Sequence, residues 1–138
     1  MKYVFVIGFS RSGTTALYNY LADHPEISTA NRKELNFFNR INTDLPLSIE
    51  ELRCLFDSKF SDSSGVKIDA TPDYISNRNG LKLINAMFKQ TEYRVVILVR
   101  NRYDRITSWF KYAKMKGLIQ HGDKLEDIIC NKIEHVSE

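Results

Sequence analysis

Residues 4–21, VFVIGFSRSGTTALYNYL, constrain the fold of this chain more than any other stretch. The run Tyr3-Val4-Phe5-Val6-Ile7 is β-branched and aromatic with no polar alternation, the pattern of a strand buried on both faces. Gly8 to Gly13 follows as a small-residue turn that holds Ser10, Arg11 and Ser12. From Thr14 the spacing predicts a helix with Ala16, Leu17, Tyr20 and Leu21 on one face. A strand, a glycine-bounded turn and a helix start together make an anion cradle. The first amides of a helix have no internal acceptors, and its dipole puts partial positive charge there.

The spacing is G-x-x-x-x-G-T-T, one residue away from a Walker A loop. Position 14, where a nucleotide triphosphatase carries lysine, is threonine, and the loop's one cation is Arg11. Such a cradle suits a phosphate held by amides and hydroxyls, with the cation placed differently. An ordinary βα turn needs no internal arginine and no hydroxyl pair.

At 138 residues the chain is expected to form one domain with an α/β core. A hydrophobic fraction of 43% and a charged fraction of 27% are those of a globular protein. The net charge of +3 is compatible with an anionic ligand. No Lys/Arg run is long enough to follow a nucleic-acid backbone. Cys54 and Cys130 are far apart, lack metal-ligand spacing and read as reduced thiols. No apolar run approaches the roughly 20 residues that span a bilayer. A strand starting right after Met1 leaves no room for a signal peptide, and a cytoplasmic protein is expected.

Asp23-His24-Pro25 is expected to stop the first helix, with His24 meeting its terminal carbonyls. Ile27-Ser28-Thr29 reads as a short strand, and residues 39–47 read as loop. Ser48-x-x-Glu51 is a capping box for a helix through Phe56, with Leu52, Leu55 and Phe56 as its buried stripe. Residues 57–65 are polar and read as a mobile surface loop. Val66 to Ala70 predicts a second strand, and residues 80–89 a helix that buries Leu81, Ile84, Met87 and Phe88. Arg94 to Val99 reads as the clearest buried strand of the chain. A long helix follows to Lys116, capped by Gly117, and Asp123-x-x-Glu126 is expected to cap a last one through His135. Arg100, Arg102 and Arg105 crowd the end of the buried strand, where ligands of open α/β sheets bind.

Three segments in order carry a resemblance. They are Gly8-Phe9-Ser10-Arg11-Ser12-Gly13-Thr14-Thr15 with His24-Pro25 following, Lys33-Glu34-Leu35-Asn36-Phe37-Phe38, and Val99-Arg100-Asn101-Arg102-Tyr103-Asp104-Arg105-Ile106-Thr107-Ser108. Together they resemble the 5′-phosphosulfate loop, the acidic residue before paired phenylalanines, and the 3′-phosphate site of PAPS-dependent sulfotransferases. The likeness is to the bacterial and carbohydrate-type branch, over the N-terminal two-thirds or less of the family's length. It implies a P-loop-like three-layer fold with a central parallel sheet, short at its C-terminal end.

The resemblance also implies roles. Ser10, Ser12, Gly13, Thr14 and Thr15 would hold the 5′-phosphate of PAPS. Arg11 would neutralise the charge that builds as PAP leaves. Arg100 and Ser108 would hold the 3′-phosphate, and Glu34 would take the proton of a hydroxyl or amine acceptor, with no metal required. The partner implied is a small-molecule or carbohydrate acceptor, with no nucleic acid and no membrane span. Two positions depart from the pattern: Ala70 stands where some carbohydrate enzymes carry lysine, and Arg102 where proline is usual. Asp69 and Asp73 then shape the acceptor side, or Arg11 carries the whole cationic load. Tyr74 and Tyr103 are candidates to line a site, whereas Trp109 and Tyr112 read as core.

Two other classes share these residues. A P-loop kinase or nucleotidase would use Thr15 and Asp69 for Mg²⁺, against the missing lysine. A non-catalytic module would bind PAP or another nucleotide and have no acceptor site.

Overall fold

The computed structural model describes residues 2–41, 46–60 and 65–134. Four strands form one all-parallel sheet: β1 (Tyr3–Gly8), β2 (Ile27–Thr29), β3 (Val66–Asp69) and β4 (Tyr93–Leu98), in the order β2-β3-β1-β4. Between them run α1 (Thr14–Ala22), α2 (Phe37–Arg40), α3 (Ile49–Asp57), a 3-10 turn (Pro72–Ser76) and α4 (Arg78–Met87). The chain divides into two compact units, Met1–Val99 and Arg100–Glu138. The second carries α5 (Arg102–Met115) and α6 (Leu125–Glu134).

β1 is central, and its two faces bury different partners. Tyr3, Phe5 and Ile7 point into an aromatic core with Phe38 of α2, Phe56 of α3, Tyr74 and Phe88. The rings meet closely: Tyr3–Phe88 at 4.4 Å, Phe38–Phe56 at 5.2 Å and Phe38–Tyr74 at 5.3 Å between centroids. Val6 points the other way, onto Tyr18 of α1, with Ile68, Leu17, Leu21, Val96 and Leu98. Helices therefore cover both faces, as the continuous apolar run of β1 requires. The segments leaving the neighbouring strands β1 and β3 turn to opposite faces of the sheet, the arrangement that opens a crevice at the carboxyl ends of parallel strands.

At the opposite, amino end of the sheet, charges clamp the core. The Tyr3 hydroxyl donates to the Asp57 carboxylate at 3.1 Å, Lys67 pairs with Asp57 at 2.7 Å, and Arg53 pairs with Glu92 at 2.9 Å. The Arg53 guanidinium also lies over the rings of Tyr3 and Phe88. Asp57 thus closes α3 and is not part of the loop expected from residue 57 onward; residues 61–64 of that loop lie outside the described ones.

Several expectations need correction. The buried face of α1 carries Thr14 and Tyr18 beside Leu17 and Leu21, while Tyr20 is 77% exposed and Ala16 is exposed too. Positions 14, 17, 18 and 21 are also one helical face; it is the one that meets Val6. Leu55 of α3 is exposed, because Leu52 and Phe56 already fill the contact with the core. Residues 37–40, half of them expected as loop, form the short helix α2. β3 ends at Asp69, and α4 begins two residues earlier than expected, at Arg78, on an Asn77 side chain that accepts from the Gly80 amide at 2.8 Å. β4 is an edge strand among the described residues and is not buried on both faces, with Val95 and Ile97 40% and 56% exposed.

The capping box of α3 forms as its spacing predicts. The Ser48 hydroxyl accepts from the Glu51 amide at 3.2 Å, and the Glu51 carboxylate accepts from the Ser48 amide at 2.7 Å. Ser48→Ala is therefore expected to cost about 1 kcal/mol, read as a lower melting temperature in thermal denaturation. Hydrogen bonds from Ser48 hold the Glu51 carboxyl below the usual carboxylate range. The box accordingly contributes at neutral pH and is lost as pH falls through that lowered value, so the penalty of the substitution shrinks in acid.

Candidate active site

The turn after β1 has the geometry its glycines predict. Gly8 has φ of 150°, and a Cβ there would sit 2.5 Å from the Leu98 carbonyl oxygen, so β4 tolerates only glycine. Ser12 donates its amide to the Phe9 carbonyl at 3.2 Å and closes the turn. Arg11, at φ of 69°, and Gly13, at φ of 101°, are both left-handed, which curls the backbone round into the helix. The first helical hydrogen bond of α1 runs from the Leu17 amide to the Gly13 carbonyl at 3.1 Å. The amides of Thr14, Thr15 and Ala16 thus have no acceptor within the helix. No side chain caps α1, and its first turn holds no acidic residue.

Two further features point to a ligand. The Ser12 Oγ is buried and has no hydrogen-bond partner among the described residues, although a buried hydroxyl without a partner costs roughly 1–3 kcal/mol. Above Gly13, the position of a Cβ meets no heavy atom within 4 Å, so the mouth of the turn is open. An oxyanion placed there would accept from Ser12 and from the free helix amides and sit at the positive end of α1. The residues fit a phosphate.

At the same end of the sheet lies the Lys33–Phe38 segment, hung from the carboxyl end of β3. Glu34 has φ of 59° and Asn36 φ of 53°, two left-handed residues flanking Leu35, which is buried. The Asn36 amide donates to the Thr71 hydroxyl at 3.2 Å, and the Thr71 hydroxyl in turn donates to Asp69 Oδ1 at 2.8 Å. The Tyr74 hydroxyl donates to Asp69 Oδ2 at 2.7 Å, and the Leu35 amide also donates to this carboxylate. Asp69 is 2% exposed. Burial pushes its carboxyl up, opposed by those donors and by the nearby Lys33 ammonium. The Glu34 carboxylate itself is half-exposed and bonds Lys33 Nζ at 2.5 Å.

Asp69 and Tyr74 are therefore where sequence reasoning fell short. Both oxygens of Asp69 accept from hydroxyl donors and the carboxylate is enclosed, so it works inside the fold, which weighs against the Mg²⁺ role considered for it with Thr15. Tyr74 is fully buried and hydrogen-bonded, a pillar of the core rather than a lining residue. The signal was present: a carboxylate at the end of an apolar strand, with hydroxyls two and five residues later.

His24, expected to meet helix-end carbonyls, instead accepts through Nδ1 from the Glu26 amide at 3.2 Å. In the second unit, Asn101 caps α5 by accepting from the Tyr103 amide at 2.9 Å, and Arg102 stacks on the Tyr103 ring, 4.8 Å from its centroid. Arg100 lies just before that cap and Ser108 lies half-buried two turns into the helix. The helix ends as expected at left-handed Gly117, whose amide bonds the Lys114 carbonyl while Leu118 bonds that of Ala113. Trp109 and Tyr112 are half-buried rather than core. Asp123 turns back to accept from the Gln120 amide at 2.7 Å and does not cap α6; residues 135–138 lie outside the described ones. The structure thus sets the Gly8–Thr15 turn and the Glu34 turn at one end of the same sheet, while Arg100 and Ser108 belong to the second unit.

A family model for the sulfotransferase domain matches residues 2–137. The chain belongs to that family. Among individual sulfotransferases, it is 26% identical over 93% of its length to a bifunctional heparan sulfate N-deacetylase/N-sulfotransferase 1 of Caenorhabditis briggsae. It is 31% identical over 78% of its length to the membrane-associated sulfotransferase kil1 of Dictyostelium discoideum. It spans only 15% and 22% of these two relatives' own lengths. A crystal structure of a sulfotransferase from Alicyclobacillus acidocaldarius shares the fold, with a TM-score of 0.74 at 17% identity, over 99% of this chain and 59% of that one. The P-loop-like fold with a central parallel sheet is thereby established, and sulfonyl transfer is the chemistry of the family. Among the described residues no helix is long and apolar enough to cross a membrane.

Proposed function

We propose that this sulfotransferase-family chain takes PAPS as sulfonate donor and passes the sulfonate to a hydroxyl or amine, on a carbohydrate or another small acceptor, releasing PAP. The observation that carries the reading is the buried Ser12 hydroxyl without a partner, at the open mouth of an uncapped helix start. The amides of Gly13, Thr14 and Thr15 and the hydroxyls of Ser10, Ser12 and Thr15 are assigned to the 5′-phosphate. Thr14 is buried on the sheet side of α1, so its contribution is the amide. Arg100 and Ser108 are assigned to the 3′-phosphate by family likeness.

In the reaction the acceptor oxygen or nitrogen forms a bond to sulfur as the bond from sulfur to the bridging phosphate oxygen breaks. The electron pair leaves with PAP. Arg11 and the helix amides stabilise that developing charge, and Glu34 receives the acceptor's proton. The two exposed thiols, Cys54 and Cys130, suit a reducing compartment and the proposed cytoplasmic setting.

Calorimetry of PAP, against ATP with Mg²⁺, tests the donor. PAP is expected to bind equally well with and without a chelator and to lose at least tenfold in affinity in Arg100→Ala, since a charge-assisted phosphate contact is worth about 1.5–3 kcal/mol. A preference for ATP with Mg²⁺ would overturn the reading.

A further inference from the structure

Three features of the Glu34 turn do not follow from packing alone. Two non-glycine residues, Glu34 and Asn36, are left-handed within three positions, at a cost of about 1–3 kcal/mol each. The amides between and after them do not bond to a neighbouring strand or helix. They bond to side chains: Leu35 to the Asp69 carboxylate and Asn36 to the Thr71 hydroxyl. Those acceptors are fully enclosed, with Asp69 and Thr71 at 2% and 0% exposure. A buried carboxylate is expensive to desolvate, and a well-packed apolar residue would serve stability as well or better. Strain and desolvation at one point, both compensated by a single hydrogen-bonded group, mark a turn held in one shape for a purpose.

We infer that Asp69, braced by Thr71 and Tyr74, is a positioning residue that fixes the direction of the Glu34 carboxylate by gripping the backbone of its turn. It takes the Leu35 amide directly and reaches the Asn36 amide through the Thr71 hydroxyl, so the two amides immediately after Glu34 are both tied to it. Further donors fix the outer edge of the turn. The Asn36 side chain donates to the Glu34 carbonyl at 3.2 Å, and Arg32 Nη2 donates to the Leu35 carbonyl at 3.2 Å. Asn39 donates to the Asn36 side chain at 2.9 Å and accepts from Asn77, the cap of α4, at 2.8 Å. The turn is thus tied both to β3 and to the start of α4. The Lys33 ammonium bonds Glu34, and its charge also favours the ionised form of Asp69. Tyr74 donates rather than lining a pocket, so its hydroxyl sets the rotamer of Asp69.

This inference rests on the reading that Glu34 takes the acceptor's proton, and the test separates the two. The variants are Asp69→Asn, which keeps the shape but confronts the donors with an amide, and the milder Tyr74→Phe. Amide hydrogen exchange is read first. Asp69→Asn is expected to lose tenfold or more in protection at Leu35 and Asn36, while amides of β1 keep theirs. Unchanged protection at those two positions overturns the inference whatever the activity. Sulfonate transfer from PAPS to a glucosamine-terminated oligosaccharide is read second. Asp69→Asn is expected to lower kcat by about tenfold to a hundredfold, the scale of misplacing a reacting group by about an ångström. Tyr74→Phe is expected to lower it severalfold. Both should leave PAP affinity within twofold of wild type. In a Glu34→Gln background, Asp69→Asn should have no further effect. PAP affinity falling in step with kcat, or a loss that persists without the Glu34 carboxylate, would make Asp69 a general scaffold and overturn the inference. A Glu34→Gln chain with wild-type turnover would instead overturn the base assignment itself.

Discussion

Replacing Glu34 by glutamine is expected to lower the rate of sulfonate transfer by about 10²–10⁴-fold, the usual contribution of a positioned general base. The substitution keeps side-chain volume and the left-handed backbone of residue 34, so the fold and PAP affinity should be unchanged. The loss should also depend on the acceptor. An aliphatic hydroxyl needs its proton removed during attack and a protonated sugar amine needs it removed before, whereas a phenol gives its proton up readily. Parallel assays with glucosamine-terminated oligosaccharide and with p-nitrophenol, both with PAPS as donor, would show a much larger effect on the first. Equal losses with the two acceptors, or none, would remove Glu34 from the proton transfer. The Lys33 ammonium bonded to Glu34 adds a condition. An incoming acceptor must displace or share that contact, so Lys33→Ala is expected to alter the KM for acceptor more than kcat.

The parts of this fold that were legible in the sequence are those set by local chemistry. A run without polar alternation between Tyr3 and Ile7 has to be enclosed, and it is the central strand. Gly8 and Gly13 stand where the backbone either meets β4 or turns left-handed, so their positions are read directly from geometry that favours glycine. The Ser48–Glu51 box and Gly117 mark helix ends for the same reason. Legibility ended where burial depends on what lies across the fold. The residues of β4 are as apolar as those of β1, yet β4 is an edge strand among the described residues and leaves Val95 and Ile97 exposed. In α1, two helical faces are equally apolar on paper. The one chosen contains Thr14 because Val6 of the sheet lies beneath it. Asp69 is the sharpest case. A carboxylate inside the strand end is tolerated only because Thr71, Tyr74 and the Leu35 amide converge on it, from two, five and thirty-four residues away. No local pattern encodes that last partner. It is also the contact that joins the two halves of the candidate site, since Asp69 pairs in register with Phe5 of β1, three residues before the Gly8–Gly13 turn begins.

Arg11 is the second place where a large effect is expected, and its backbone makes the test unusually clean. At φ of 69° the residue sits in the region that disfavours any side chain with a Cβ. Arg11→Gly removes the guanidinium and relieves about 1–2 kcal/mol of backbone strain. The extra freedom glycine gains in the unfolded chain costs about 0.5–1 kcal/mol in return. These backbone terms by themselves leave thermal stability level or higher, while transfer falls by about 10²–10³-fold, the loss seen when one preorganised charge or donor is taken from a developing anion. PAP affinity should fall by much less, because the helix amides and the Ser12 hydroxyl remain in place. Arg11→Lys restores a cation without the planar fork and is expected to recover only part of the rate. Activity and stability moving in opposite directions in one variant would show that a strained residue is retained for its charge at the site. A kcat that follows PAP affinity in proportion would reduce Arg11 to a binding residue, and the charge on the leaving phosphate would then have to be met by the helix start alone.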